Sequence, residues 1–189
     1  MLQKTMQKKK VAVLIGSMRK DSYNRKMAKA MIALAPDSLE LSIVEIGDLP
    51  LFNQDLEDTP PESWTRFRKE IADADAVLFF TPEYNRSLPA VLKNAIDVGS
   101  RPYGKSVWNE KPGGIVSVSI SALGGFGANH HLRQSAVFLN IPMMQQPEAY
   151  IGKAAEIFDE NGEIKSEDTQ KFARHFIDAY ARWVKAHTS

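Results

Sequence analysis

Short apolar runs alternate along the chain with segments in which apolar residues recur every three or four positions. The runs are rich in Val, Ile, Leu and Phe. They predict buried strands at 11–15, 39–46, 76–80, 112–119 and, the shortest, 143–146. The periodic segments predict helices that cover 27–34, 64–74, 88–96, 132–139 and 166–183. Strands and helices therefore alternate along the sequence.

The two ends of the chain carry their own patterns. Residues 1–9 are polar and predict a frayed lead-in before the first strand. Ser166 can cap the last helix, with Glu167 and Asp168 in its first turn. The aromatic stripe of that helix predicts burial in the core for most of its members, or a subunit interface. Its members are Phe172, Phe176, Tyr180 and Trp183.

This alternation predicts a parallel sheet covered by helices on both faces, because each parallel crossover needs a helix and is right-handed. We expect a single α/β domain over residues 1–189, a flavodoxin-like three-layer sandwich with five parallel strands in the order 2-1-3-4-5. In that topology the chain reverses its direction across the sheet between strands one and three. Ligands bind at the carboxyl ends of the strands on either side of this switch point. The loops after strands one, three and four, at 16–24, 81–89 and 119–127, are the most unusual stretches of the chain.

The first of these loops predicts a phosphate site. Its backbone N–H groups open a helix and attract anions. Ser17, Ser22 and Asn24 add polar groups, and Arg19 adds a guanidinium. Plain capping is the alternative for the polar residues, but it gives no reason for Arg19. Neither a Walker loop nor a G-x-G-x-x-G motif follows strand one. This argues against a nucleoside triphosphatase and against a Rossmann enzyme that binds a dinucleotide after its first strand.

The second and third loops predict a site for a planar ring. Pro82–Asn85 can present backbone donors and acceptors to a heterocycle, with Tyr84 against its face. An ordinary turn, with Pro82 and Asn85 at constrained backbone angles, is the alternative. Glu83 is equally compatible with a solvated loop carboxylate. The glycines of the third loop allow a ring to approach the backbone closely.

Composition narrows the function. Charged residues make up 25% of the chain and the net charge is +1, so no strong field favours nucleic acid or a membrane surface as partner. The absence of cysteine excludes disulfides, thiol redox chemistry and thiolate metal sites.

No run has the length of a signal peptide core or a membrane span, and we expect a cytoplasmic protein. The histidines lack acidic neighbours at ligand spacing, so no metal site is predicted. They are His130, His131, His175 and His187.

The motifs GSMRKDSYN, TPEYNRSLPAVLKNAID and the Ser- and Gly-rich turn after strand four resemble the NADPH-dependent FMN reductase family, in its chromate and quinone reductase branch. The resemblance covers roughly 11–150. It implies that the first loop holds the phosphate of non-covalently bound FMN through Ser17, Arg19, Ser22, Tyr23 and Asn24. It implies that Pro82, Glu83, Tyr84 and Asn85 line the isoalloxazine. It also implies a flavin contact at the Val118–Ser119 peptide.

The resemblance further implies hydride transfer from NADH or NADPH through the flavin to quinones, chromate, azo compounds or free flavin. Such chemistry needs stacked rings rather than a covalent or acid–base catalytic residue. Arg101, with Tyr84, is a candidate contact for the nicotinamide nucleotide or an oxyanion acceptor. The alternative for Arg101 is a cation at a helix C-terminus. Family members are commonly oligomeric, so a homodimer or homotetramer is expected.

Two other classes share this topology. A flavodoxin-type electron carrier would exchange single electrons without oxidising NAD(P)H. It would be strongly acidic, with a Thr-rich phosphate loop. The balanced charge and Arg19 argue against it. A phospho-receiver domain would need an acidic pair directly after strand one, where this chain has Gly16 and Ser17. The preferred donor and the physiological acceptor stay open at this point.

Overall fold

The structure is a computed structural model that describes residues 7–188. A short 3₁₀ turn, Gln54–Leu56, lies in the connection after the second strand. The strands are β1 Lys9–Ile15, β2 Leu39–Val44, β3 Ala76–Thr81, β4 Gly113–Val118 and β5 Ala149–Ile151. The helices are α1 Tyr23–Leu34, α2 Glu62–Ala72, α3 Ala90–Gly99, α4 Phe126–Phe138, α5 Ala154–Ile157 and α6 Glu167–His187.

All five strands run parallel in the order β2-β1-β3-β4-β5, which confirms the predicted topology. Alternate side chains of β1 face opposite layers. Val13 packs with α1 and α6, whereas Leu14 packs with α2, α3 and α4. Both are fully buried. The sheet is therefore the middle of three layers, and its central strands have no polar face, as is typical of parallel sheets.

The fifth strand differs from the prediction. It lies at Ala149–Ile151, whereas the predicted segment 143–146 touches the sheet only near Gly113, where Met143 forms an isolated bridge. Pro147 has no N–H to donate to a strand ladder, so pairing cannot run continuously from that bridge through this position. Regular pairing resumes where Ala149 lies opposite Val116.

The first strand begins earlier than predicted. Lys9 and Lys10 belong to β1 and pair in register with Leu39 and Glu40. The backbone N–H of Lys10 also donates to Asp75 Oδ2 at 2.7 Å. The predicted frayed lead-in is thus wrong for Lys9, and residues 1–6 lie outside the described part of the chain.

The last helix follows the prediction. Ser166 is its N-cap and accepts a hydrogen bond from the Thr169 N–H at 3.3 Å. Phe176 and Tyr180 are buried, and Phe172 and Trp183 are half-buried against the same core. The aromatic stripe is therefore mainly core. No helix of the described residues is long and apolar enough to cross a membrane.

Candidate cofactor site

The loops after β1, β3 and β4 meet around a cavity of about 210 Å³. Every cofactor residue predicted from the sequence lines this cavity except Asn85. Ile120 is an additional lining residue, which its position directly after Ser119 could have indicated. The lining residues are Ser17, Arg19, Ser22, Tyr23, Asn24, Pro82, Glu83, Tyr84, Val118, Ser119 and Ile120.

The loop after β1 leads directly into α1. Ser22 is the N-cap of this helix, and its hydroxyl oxygen accepts from the Arg25 N–H at 3.2 Å. The next N–H groups, of Tyr23 and Asn24, have no acceptor within a helix that starts here. The first turn carries no acidic side chain that would neutralise the positive end of the helix. Ser22 therefore caps the helix, and the rest of this helix end can accept an anion.

Asn24 connects the first loop to the third. The residue is 3% exposed, and its Nδ2 donates to the Val118 carbonyl oxygen at 3.2 Å. Its Oδ1 is buried and has no hydrogen-bond partner among the described residues. Buried polar atoms without partners are rare in folded proteins. Asn24 also lines the cavity, so a ligand bound there can supply the missing hydroxyl or N–H donor once the buried oxygen turns towards it.

The loop after β3 forms a tight hairpin that presents Tyr84. Two backbone hydrogen bonds, of 2.9 and 3.0 Å, join Tyr84 and Ser87. Asn85 and Arg86 between them have φ angles of 51° and 66°, as in a two-residue type I′ turn. Asn85 is therefore the turn residue of the alternative interpretation, and its side chain does not line the cavity. Tyr84 lines the cavity and is 50% exposed.

Glu83 is not a solvated loop carboxylate. Its side chain is only 11% exposed. Its Oε2 accepts from the Ala128 N–H in the first turn of α4 at 3.2 Å, and its Oε1 pairs with Arg86 at 3.3 Å. Sequence reasoning missed this helix contact, because nothing near Glu83 in the chain indicates which helix it meets.

The loop after β4 is attached to the end of β5. Ser119 donates its N–H to Ile151 O at 2.9 Å and accepts from the Ala154 N–H at 3.1 Å. A Cβ on Gly124 would lie 2.5 Å from the carbonyl carbon of Tyr150. Gly125, with φ of 77°, is the N-cap of α4. These two glycines therefore serve the packing and the turn of the loop itself.

Arg101 lies outside the cavity lining. Its Nε and Nη2 donate to the two carboxylate oxygens of Glu57 at 2.7 and 3.1 Å, and its guanidinium lies 5.8 Å from the ring centre of Phe52. This bidentate pair attaches the connection between β2 and α2 to the end of α3. The predicted contact of Arg101 with a nucleotide or an oxyanion would have to compete with Glu57.

The histidines make local contacts. His130 lies 2.9 Å from the Tyr150 hydroxyl, and His131 Nδ1 lies 2.9 Å from Ser87 Oγ. Burial, and then the hydrogen bond with Glu148, raises the pKa of Tyr150 to about 12. Tyr150 is therefore a neutral hydroxyl at physiological pH. Within residues 7–188 no group of three His, Asp or Glu side chains is arranged to hold a metal ion.

The fold and the cavity define a flavodoxin-like protein with an anion-accepting helix end facing a half-exposed tyrosine across the switch point. Residues 9–156 match the family model described as NADPH-dependent FMN reductase. The chain belongs to this family. It is accordingly an NAD(P)H-dependent oxidoreductase that uses FMN as its cofactor.

Individual relatives agree with this membership. A quinone reductase of Pseudomonas putida is 62% identical over 176 residues, which cover 93% of this chain and 94% of that protein. A 2-hydroxy-1,4-benzoquinone reductase of a Burkholderia species is 49% identical over 176 residues, covering 93% and 96%. The solved structure of FerB, a flavoenzyme NAD(P)H:(acceptor) oxidoreductase from Paracoccus denitrificans, matches with a TM-score of 0.91. It is 42% identical and covers 96% of this chain and 100% of that one.

Proposed function

We propose that this chain binds FMN in the cavity between the three loops and passes electrons from NAD(P)H to quinones. The unpartnered Asn24 Oδ1 carries the assignment of the site, since it needs a donor that a ribityl hydroxyl can supply. The open end of α1, with Arg19, Ser17 and Ser22, suits the phosphate. The exposed ring of Tyr84 and the Val118–Ser119 peptide suit a flat apolar ring system.

The chemistry that bound FMN supplies is two-electron transfer, inward from the nicotinamide and outward to the acceptor. The protein's part is binding, orientation and exclusion of water, so no covalent catalytic residue is needed. Backbone N–H groups near the ring can stabilise negative charge that develops on it. Donor and acceptor would use the same open face in turn.

Quinones are the acceptors we infer, because the Pseudomonas putida and Burkholderia relatives are named quinone reductases. Chromate, azo compounds and free flavin are further proposed acceptors. A comparison of kcat/KM for a benzoquinone, chromate, an azo dye and free FMN tests this order. Highest activity with the benzoquinone supports it, and a clear preference for chromate would make the protein a chromate reductase instead.

A spectroscopic experiment tests the function as a whole. The purified protein is loaded with FMN and mixed anaerobically with NADH or NADPH in separate cuvettes. Rapid loss of the absorbance of oxidised flavin supports the proposal and identifies the preferred donor. Bound flavin that neither nucleotide reduces would favour the electron-carrier alternative. Protein that takes up no FMN would refute the site assignment.

We also propose a homodimer or homotetramer. Phe138 and Val137 at the end of α4 are 90% and 80% exposed, beside a groove of about 410 Å³ between α3 and α4. Contiguous exposed apolar surface is typical of contact sites, and two adjacent apolar side chains beside a groove are the candidate for such a surface here. Phe138→Glu should shift the mass in sedimentation towards the monomer, and an unchanged mass would exclude this surface.

We also propose a cytoplasmic location, because the donor NAD(P)H is an intracellular metabolite. Cell fractionation tests this location.

A further inference from the structure

Helix α4 begins without a cap of its own. Its N-cap is Gly125, which offers no side chain, and its first turn contains no acidic residue. The open N–H groups of a helix start need acceptors and favour a negative charge. Here the acceptor comes from another loop, since Glu83 Oε2 receives the hydrogen bond of the Ala128 N–H. The two residues are 45 positions apart in the chain.

Close packing accompanies this hydrogen bond. A Cβ on Gly127 would lie 3.0 Å from Glu83 Oε2 and 2.7 Å from the Arg86 carbonyl oxygen. The second distance involves backbone and cannot be relieved by a side-chain rotation. Only glycine at position 127 therefore lets the hairpin rest directly on the start of α4.

A second contact holds the other end of the hairpin. His131 Nδ1, one turn further along α4, lies 2.9 Å from Ser87 Oγ. Tyr84 stands between the two contacts and is the hairpin residue that reaches over the cavity. The same helix start directly follows the loop that begins at Ser119, after Val118 at the end of β4. The start of α4 is thus a common support for two walls of the cavity.

We propose that Glu83 is a positioning residue for the flavin site. Its carboxylate holds the Tyr84 hairpin against the start of α4 and so sets the gap between Tyr84 and the Val118–Ser119 peptide. This role rests on the proposed function, because it concerns the gap that is to receive the isoalloxazine. Glu83 acts on the ring through these two loops, and acceptance of the Ala128 hydrogen bond matters more than negative charge as such.

Four variants separate the effects of the hydrogen-bond acceptor, the negative charge and the packing of the hairpin. E83A removes the acceptor, E83Q keeps an oxygen acceptor without the charge, and G127A keeps the carboxylate but pushes the hairpin away. Glu40→Ala is the matched control, since Glu40 is an exposed carboxylate in β2. Hydrogen exchange at the Ala128 amide is measured by NMR in the flavin-free proteins. FMN affinity is measured by fluorescence titration, together with the visible circular dichroism of the bound flavin.

We expect E83A to speed exchange at Ala128 and to weaken FMN binding about tenfold. This is less than the full free energy of a hydrogen bond to a charged group, because the lost bond supports the gap and does not itself touch FMN. G127A should weaken FMN binding to a similar extent, with an altered circular dichroism spectrum. E83Q should stay within about threefold of wild type, since its amide oxygen still accepts. The control should match wild type in every measurement.

Several results would overturn the role of Glu83. One is unchanged exchange at Ala128 in E83A. Another is E83Q binding FMN as weakly as E83A, which would mean that the charge acts directly. If E83A does not fold, G127A binding FMN as tightly as wild type would be equally decisive against the proposal. Wild-type protein that binds no FMN would instead refute the proposed function, and the Glu83 role with it.

Discussion

Replacing Asn24 by leucine should separate ligand binding from stability. The side chain of Asn24 is buried, with one bond to Val118 O and one unpartnered oxygen. Leucine of similar size removes both features. The Val118 carbonyl loses its donor, which lowers the free energy of unfolding by about 1–3 kcal/mol. Removal of the unpartnered Oδ1 raises it by a similar amount. The free energy of unfolding of the flavin-free protein should therefore change by no more than about 1 kcal/mol.

FMN affinity should respond differently. A ligand donor that meets Asn24 Oδ1 loses its partner in the Asn24→Leu variant. The expected loss of binding free energy is about 1–1.5 kcal/mol, which raises the dissociation constant of FMN roughly five- to tenfold. The variant should thus be nearly as stable as wild type without flavin and less stabilised by added FMN.

A matched control comes from Asn94, which is also buried, at 6% exposure. Its Oδ1 accepts from the Phe52 N–H at 2.8 Å, and its Nδ2 donates to Leu49 O and Pro50 O, both at 3.1 Å. Pro50 O has a second donor in Trp64 Nε1, so Asn94→Leu leaves two backbone groups unpartnered. At about 1–3 kcal/mol for each group, we expect the free energy of unfolding to fall by about 2–6 kcal/mol.

Urea unfolding of both flavin-free variants and fluorescence titration with FMN provide the measurements. The reasoning is refuted if Asn24→Leu loses as much unfolding free energy as Asn94→Leu. It is also refuted if Asn24→Leu binds FMN within about twofold of wild type, since one hydrogen bond is expected to exceed that.

Three further predictions concern other parts of the molecule. Arg19→Ala should weaken FMN binding about tenfold or more, because a charged donor to the phosphate is lost. Lys20→Ala in the same loop should not, and equal retention of flavin by both variants would contradict the phosphate assignment. The raised pKa of Tyr150 contributes stability that is fully present below about pH 10, where the unfolded tyrosine ionises, and is lost as pH rises through about 12. Between pH 9 and pH 12 the free energy of unfolding should therefore fall more steeply for wild type than for Tyr150→Phe. Parallel curves for the two proteins would contradict the raised pKa of Tyr150. Gly114→Ala places a Cβ 2.9 Å from the ring of Tyr180, so it should cost about 1–3 kcal/mol, and an unchanged melting temperature would show that the core can yield there.

Much of the fold follows from local pattern. The strands β1, β3 and β4 and the helices between them lie where apolar runs and helical spacing predict them. The handedness of parallel crossovers leaves few possible strand orders, and the flavodoxin-like order is one of them. The fifth strand was misplaced because edge pairing is short, and the apolar run at 143–146 looks like a strand without knowledge of its partner.

The candidate site was predictable to a similar degree. Parallel strands deliver the loops that follow β1, β3 and β4 to one edge of the sheet, so unusual residues in those loops must lie near one another. Asn85 is the exception among the predicted cofactor residues, because its left-handed backbone directs the chain through the hairpin turn rather than along the cavity.

Contacts between distant segments needed the tertiary structure. Glu83 meets Ala128 across 45 residues, and Arg101 meets Glu57 across 44. Sequence spacing reports on neighbours within one helix or strand, where geometry is periodic. It carries no information on which charge reaches which helix end after folding. The chain's own pattern therefore specified the sheet, its order and the loops at its functional edge. The partners of Glu83, Asn24 and Arg101 were set by packing of the layers, because a buried polar group bonds with whatever the fold brings within about 3 Å of it.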